Sequence, residues 1–189
     1  ALGVDARSRN GDGCPPVRVR GGGLPGGRVV LRDIESSQYV SALLLSAPYA
    51  AGDLRIELRG RTPSLPYVAM TVEAMTHFGR SVLRPDPRVF VVRGGGGYRA
   101  RDVRIEGDVS SASYFFLAAA LTGGRVRVEN VRPRTLQGDI GFLRILERFG
   151  CRFVGGEDWV EVEGGPLSPG EAVVSLGDMP DMVPTVAVL

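Results

Sequence analysis

The chain has 189 residues, enough for one large domain or two small ones, and its 43% hydrophobic and 23% charged residues are the balance of an ordinary globular protein. A net charge of +2, with arginines scattered along strand-like stretches and no aromatics interleaved among them, argues against a nucleic-acid surface. No apolar run reaches the roughly 18 residues that a membrane span needs, and two cysteines without CxxC spacing beside a single histidine argue against a zinc site or a disulfide framework.

In chain order, Ala1 to Gly13 lacks the basic-then-apolar layout of a signal peptide, which points to the cytoplasm, or to an organelle after removal of an address. "PPVRVRGGG" at Pro15 to Gly23 reads as a closing strand. The run "GGGLPGG" lacks the GxxxxGK[ST] layout of a phosphate loop and reads as a turn. "RVVLRDIESSQYVSALLLSAPYAAGDLRIELRG" then predicts a strand, a Ser36-Ser37 pair, an apolar helix and a second strand, in which Leu54, Ile56 and Leu58 alternate with Arg55, Glu57 and Arg59. "SLPYVAMTVEAMTHFG" predicts an amphipathic helix with His77 exposed near its end and Gly79 closing it. A strand pair ending in "RVFVVRGG" completes the unit. "RGGGGYRARD", Arg93 to Asp102, is the most flexible-looking stretch and the candidate hinge.

The pattern then repeats. "RDVRIEGDVSSASYFFLAAALTGGRVRVEN" predicts strand, Ser110-Ser111 pair, apolar helix and strand. "LQGDIGFLRILERFG" predicts a helix capped by Asp139 and closed by Gly150, with Arg132 and Arg134 as surface charges nearby. "DWVEVEGG" predicts a closing strand with Trp159 in the core. Ser110 follows Ser36 by 74 residues and Gly150 follows Gly79 by 71, so the unit is strand–helix–strand–helix–strand–strand, about 70 residues long. "EAVVSLGDMPDMVPTVAVL" repeats an opening strand and the beginning of an apolar helix, with Asp178 as its cap and Asp181 in its first turn. Incomplete copies at both ends predict a piece of a longer protein.

The Ser-Ser-Gln run Ser36, Ser37, Gln38 admits two readings. Serine is a good N-cap, a contribution of about 1 kcal/mol. The unpaired N–H groups and partial positive charge of a helix start also suit a phosphate, with serine hydroxyls as added donors. Ser110 and Ser111 occupy the same slot in the second copy, where capping or packing is the expectation.

The motifs "IESSQYVSALLLSAPYA", "SLPYVAMT", "EGDVSSASYFFLAAALTGG", "LQGDIGFLRILERFG" and "DMPDMVPTVAV", taken together and in this order, resemble the 5-enolpyruvylshikimate-3-phosphate synthase family along essentially the whole chain. The resemblance implies an α/β (α+β) fold of repeated βαβαββ units, six in the full enzyme, with helices packed inside sheets. Residues 1–104 would be the end of one repeat plus one full unit of the first domain, and residues 105–189 one unit plus the start of the next in the second domain, with ligand in the cleft between domains. The implied reaction transfers the enolpyruvyl group of phosphoenolpyruvate to the 5-hydroxyl of shikimate 3-phosphate and releases phosphate. Ser36, Ser37, Gln38, Ser64 and Tyr67 would bind shikimate 3-phosphate, Gln38 would also reach phosphoenolpyruvate, and Asp181 would contact the acceptor hydroxyl and take its proton. No metal or organic cofactor is implied, and no nucleic-acid or membrane partner; the missing partner is the rest of the same protein.

The chain contains no lysine. The family's catalytic lysines would therefore lie outside it, and the isolated chain is expected to be inactive. Two further readings stand beside this one: the sister transferase acting on UDP-N-acetylglucosamine, and a non-catalytic phosphate-binding module of the same fold. RNA-end processing by a protein of similar repeats is a third, weaker reading.

Overall fold

A computed structural model describes residues 2–168 and 173–189. The chain forms two compact units, one holding residues up to Thr62 together with Thr71–Arg101, the other Pro63–Met70 together with Asp102–Leu189.

The first unit begins with a two-stranded antiparallel hairpin, β1 (Ala6–Ser8) and β2 (Val17–Val19). The strand expected in Pro15–Gly23 is β2; its partner β1 carries no alternation strong enough to read in the sequence. The repeat follows as β3 (Gly27–Arg32), α1 (Gln38–Ser46), β4 (Leu54–Arg59), α2 (Leu65–His77), β5 (Val82–Asp86) and β6 (Val89–Val92), with the first part of α2, up to Met70, counted in the second unit. Its sheet has the order β3-β4-β6-β5, with β3 parallel to β4 and the other pairs antiparallel. A parallel pair needs a crossover, and α1 supplies it. The predicted alternation in β4 is realised: Leu54, Ile56 and Leu58 are buried, as are Val29, Phe90 and Val92 beside them and Val40 and Leu44 of α1. On the opposite face Glu57 is covered by arginine side chains, accepting from Arg28 at 2.7 and 2.9 Å and from Arg55 at 2.8 Å. Those hydrogen bonds, Arg28's first, hold its carboxyl at about 2, well below the usual carboxylate range.

The candidate hinge is pinned within this unit rather than loose. Gly95 donates to Ala50 O, Gly96 to Pro48 O and Arg99 to Phe78 O, while the Tyr98 hydroxyl donates to Leu45 O. Four glycines in a row suggest freedom, but the amides of Gly95 and Gly96 are spent on carbonyls and that of Gly94 on the Asp53 carboxylate. His77 is exposed at the end of α2, and Gly79 takes the left-handed conformation that closes the helix, with φ +79°.

The second unit contains α3 (Val109–Thr122), β7 (Arg125–Glu129), α4 (Phe142–Arg148), β8 (Arg152–Gly155), β9 (Trp159–Glu163) and α5 (Val183–Val188). Its antiparallel sheet has the order β7-β9-β8. Phe116, Phe142, Leu146, Val160, Val162 and Met182 are buried in its core. Gly150, at φ +98°, closes α4 as expected.

Three expectations change here. The opening strand of the second copy does not form: residues 101–107 have no ladder partner. Asn130, at φ +60°, turns the chain aside just after β7. Its side chain donates to Ile105 O, and Gln137 receives Val109 N–H on Oε1 while its Nε2 donates to Gly107 O. Side-chain amides thus take the bonds that a neighbouring strand would have supplied. Trp159 is half-buried on the outer face rather than in the core, with the Arg127 guanidinium 3.9 Å from its ring centre, while Val160 and Val162 point inward. The opening strand expected near the end falls partly on Glu171 and Ala172, outside the described residues, and Val173 to Leu176 form no strand.

Candidate functional site

Helix α1 starts immediately after Ser37, which is its N-cap residue and whose side chain accepts no capping bond from the helix; Ser37 is buried, and no acidic residue lies in the first turn. Ser36 Oγ accepts from the Gln38 amide at 3.1 Å, and Ser37 O accepts from the amides of Val40 and Ser41. The two readings of this run therefore overlap at Ser36, which satisfies one helix-start donor, while Gln38 stays exposed. Further along, Ser41 and Thr71 share a hydroxyl hydrogen bond of 2.7 Å.

The second Ser-Ser pair is placed differently. Helix α3 starts at Val109, so Ser110 and Ser111 lie inside its first turn. The cap is Asp108, whose carboxylate accepts from the Ser110 amide at 3.0 Å, the Ser111 amide at 3.3 Å and the Ser111 hydroxyl at 2.5 Å. Those bonds, the Ser111 hydroxyl first, hold the Asp108 carboxyl below its ordinary range. The expectation that the serines themselves cap this helix is overturned. An aspartate one residue before the helix outcompetes them, because a charged acceptor bonds amides more strongly than a hydroxyl does.

Within the second unit, four helix starts converge. Ser64, just before α2, is buried with φ +56°, an uncommon conformation for a residue other than glycine, and its amide donates to Gly177 O at 3.2 Å. Gly138 packs so tightly that a β-carbon there would run into Asp178 O and the Pro66 ring. The Tyr67 hydroxyl donates to Asp139 Oδ2 at 2.9 Å, and the Ser110 hydroxyl donates to the same oxygen. Ser113 Oγ and Thr185 Oγ1 lie 3.4 Å apart deeper in the unit. Tyr67 is pushed up to about 12: partial burial contributes most, then the bond to Asp139 and its charge, with a smaller push from Asp181 and an opposing effect of Ser110.

Of the six residues singled out from the sequence, Ser36, Ser37 and Gln38 open α1 in the first unit. Ser64, Tyr67 and Asp181 belong to the second, where the charge of Asp181 acts on the Tyr67 phenol. Asp181 is exposed on a 3-10 turn, Pro180–Met182, that precedes α5. Neither it nor Asp178 caps that turn, because Met179 holds the cap position and no side chain bonds there; the expected capping role of Asp178 is thereby overturned. Asp139 is likewise no simple cap. It is 1% exposed, and its carboxyl is spent on hydroxyls from α2 and α3. Sequence reasoning passed over Asp139 and Ser110 as site neighbours; the available signal was the Gly138-Asp139 step, where a glycine admits close approach of another chain segment. Among the described residues no group of His, Cys, Asp and Glu is arranged to hold a metal ion.

A family model described as EPSP synthase (3-phosphoshikimate 1-carboxyvinyltransferase) matches residues 1–189. The chain belongs to this family. Among relatives of the EPSP synthase family, a chloroplastic 3-phosphoshikimate 1-carboxyvinyltransferase of Arabidopsis thaliana is 45% identical over 197 aligned residues, covering 100% of this chain and 38% of the relative. Enzymes of the same name from Marinomonas and Trichormus variabilis are 38% and 41% identical, with 99% of this chain and 44% of each relative covered. The chain thus spans about two fifths of the length of the relatives it matches. The solved EPSP synthase of Acinetobacter baumannii superimposes with a TM-score of 0.69 at 23% identity, over 98% of this chain and 42% of that one, which supports the α/β repeat fold.

Proposed function

We propose that the full-length protein transfers the enolpyruvyl group of phosphoenolpyruvate to the 5-hydroxyl of shikimate 3-phosphate. Membership of the family and its like-named relatives support the reaction class. The observation that carries the assignment of residues is the start of α1, where Ser36 and Ser37 precede, and Gln38 opens, a first turn free of carboxylates. A helix start with open amides and hydroxyl donors favours a dianionic phosphate. Ser36, Ser37, Gln38, Ser64 and Tyr67 bind shikimate 3-phosphate, and Gln38 also reaches phosphoenolpyruvate.

Asp181, exposed and uncommitted to capping, contacts the acceptor hydroxyl and takes its proton as the oxygen adds to C2 of phosphoenolpyruvate and the methylene carbon gains a proton; loss of phosphate and of a proton from the resulting methyl group then restores the double bond. The rest of the barrier falls through orientation of the two substrates and hydrogen bonds that strengthen as charge develops. The reaction needs no metal or organic cofactor in this reading, and its setting is the cytoplasm, whereas the plant relatives are named as chloroplastic.

Titration calorimetry on the full-length protein tests the reading. Shikimate 3-phosphate binds with micromolar affinity, and Ser37→Ala weakens that binding at least tenfold. No binding of shikimate 3-phosphate, or tighter binding of UDP-N-acetylglucosamine, would defeat the assignment.

A further inference from the structure

We infer that Asp139 is a positioning residue, whose buried carboxyl group fixes the Tyr67 phenol by holding it, together with the Ser110 hydroxyl, on one oxygen. The inference rests on the reading of Tyr67 as a residue of the shikimate 3-phosphate site and deepens it.

Three observations carry it. The Tyr67 and Ser110 hydroxyls reach Asp139 Oδ2 from two different helices, α2 and α3, so that a single oxygen fixes both. The backbone that carries Asp139 is closely packed as well: the neighbouring Gly138 lies against Asp178 O and Pro66 with no room for a side chain. Finally, Asp139 Oδ1 is buried and accepts no hydrogen bond among the described residues. A carboxyl selected for stability alone would have both oxygens bonded, because an orphaned buried acceptor costs about 1–3 kcal/mol. This one is satisfied on the side that faces Tyr67 and unsatisfied on the other, the pattern of a group placed for what it orients.

The arrangement has a chemical consequence. With its hydrogen directed at Asp139 and the Asp181 charge acting on it as well, the phenol stays neutral across the whole physiological range and keeps one rotational setting. A rigid, neutral Tyr67 adds no charge beside a phosphorylated ligand and loses little freedom when that ligand binds. Ser110 acts in the opposite electrical sense, since its bond favours the ionised phenol while Asp139 disfavours it.

That opposition supplies the test. The full-length protein is labelled with 3-fluorotyrosine, whose phenol ionises at lower pH than tyrosine, and the Tyr67 fluorine resonance is assigned by its loss in Tyr67→Phe. Asp139→Asn is expected to lower the ionisation midpoint of Tyr67 and Ser110→Ala to raise it; Ser110→Ala also stands in should Asp139→Asn fail to fold. Unmoved midpoints, or shifts of the same sign, would overturn the coupling. Calorimetry with shikimate 3-phosphate then closes a double-mutant cycle. Asp139→Asn weakens binding about tenfold when Tyr67 is present and less than twofold in the Tyr67→Phe background. Equal losses in both backgrounds would reduce Asp139 to a purely structural group and refute the positioning role. Absence of any shikimate 3-phosphate binding by the unmutated protein would instead sink the functional reading, and the fluorine titration would still decide the Asp139–Tyr67 link.

Discussion

Helices α1 and α3 open on the same Ser-Ser pair and end in opposite electrostatic states. Before α1 the pair stands outside the helix, with Ser37 at the cap position and no carboxylate in the first turn. In α3 the helix begins earlier, the pair lies within the first turn, and Asp108 covers the amides of Ser110 and Ser111. One helix start keeps its partial positive charge; the other has already neutralised it with a built-in carboxylate. The lesson is that a repeated motif reports a repeated fold, and that a single carboxylate sets the charge state of each copy's helix start.

The largest test of this contrast concerns the one helix-start aspartate assigned to chemistry. Asp181→Ala in the full-length protein is expected to lower kcat by roughly two to four orders of magnitude, the usual contribution of a positioned base, with the Kd for shikimate 3-phosphate little changed. Steady-state rates at saturating substrates check it, and unchanged turnover refutes the role.

Converting one helix start into the other comes next. Ser36 bonds the amide two residues on, as Asp108 does, so Ser36→Asp sets a carboxylate at the start of α1, one residue before the position that Asp108 holds in α3. The expected outcome is a split: the variant melts no lower than the parent, while its affinity for shikimate 3-phosphate falls at least tenfold. Preserved affinity would show that the charge state of this helix start does not matter to the ligand.

The reverse operation is smaller. Asp108→Ala removes two amide bonds from α3 and is expected to cost about 1 kcal/mol, read as a lower urea midpoint, with no change in ligand affinity. Loss of affinity would mean that α3 takes part in binding after all.

The smallest effect lies on the sheet of the first unit. Glu57, held at about 2 when folded against 4.5 for an ordinary glutamate, contributes stability that is fully present above about pH 4.5 and is lost as pH falls toward 2. Glu57→Gln is therefore expected to flatten the acid limb of a stability-against-pH curve while leaving ligand affinity unchanged. An identical acid limb in the variant would show that the arginine cluster holds nothing.

Much of the architecture was readable because it depends on local periodicity. Alternation in Leu54–Arg59 and Arg125–Glu129, the apolar helices behind each serine pair and the glycines at 79 and 150 are all consequences of a residue's own neighbours along the chain. The short β1 was not readable, since three residues without alternation become a strand only through pairing with β2. Residues 101–107 failed in the opposite sense: their composition suits a strand, but Asn130 and Gln137 claim the backbone groups that a ladder would use. Ser36, Ser37, Gln38, Ser64, Tyr67 and Asp181 were singled out by motif, whereas Asp139 was misjudged because its partners lie 72 and 29 residues away.

By itself the sequence determined the repeat, the element types and the identity of the polar groups at each helix start, because hydrophobic period and turn chemistry act over a few residues. Only the tertiary structure decided which hydroxyl bonds which carboxylate. Ser110 turns to Asp139 rather than capping its own helix, and Tyr67 is tied to that same oxygen, since a buried acceptor takes its donors from whichever chain segments packing brings within 3 Å.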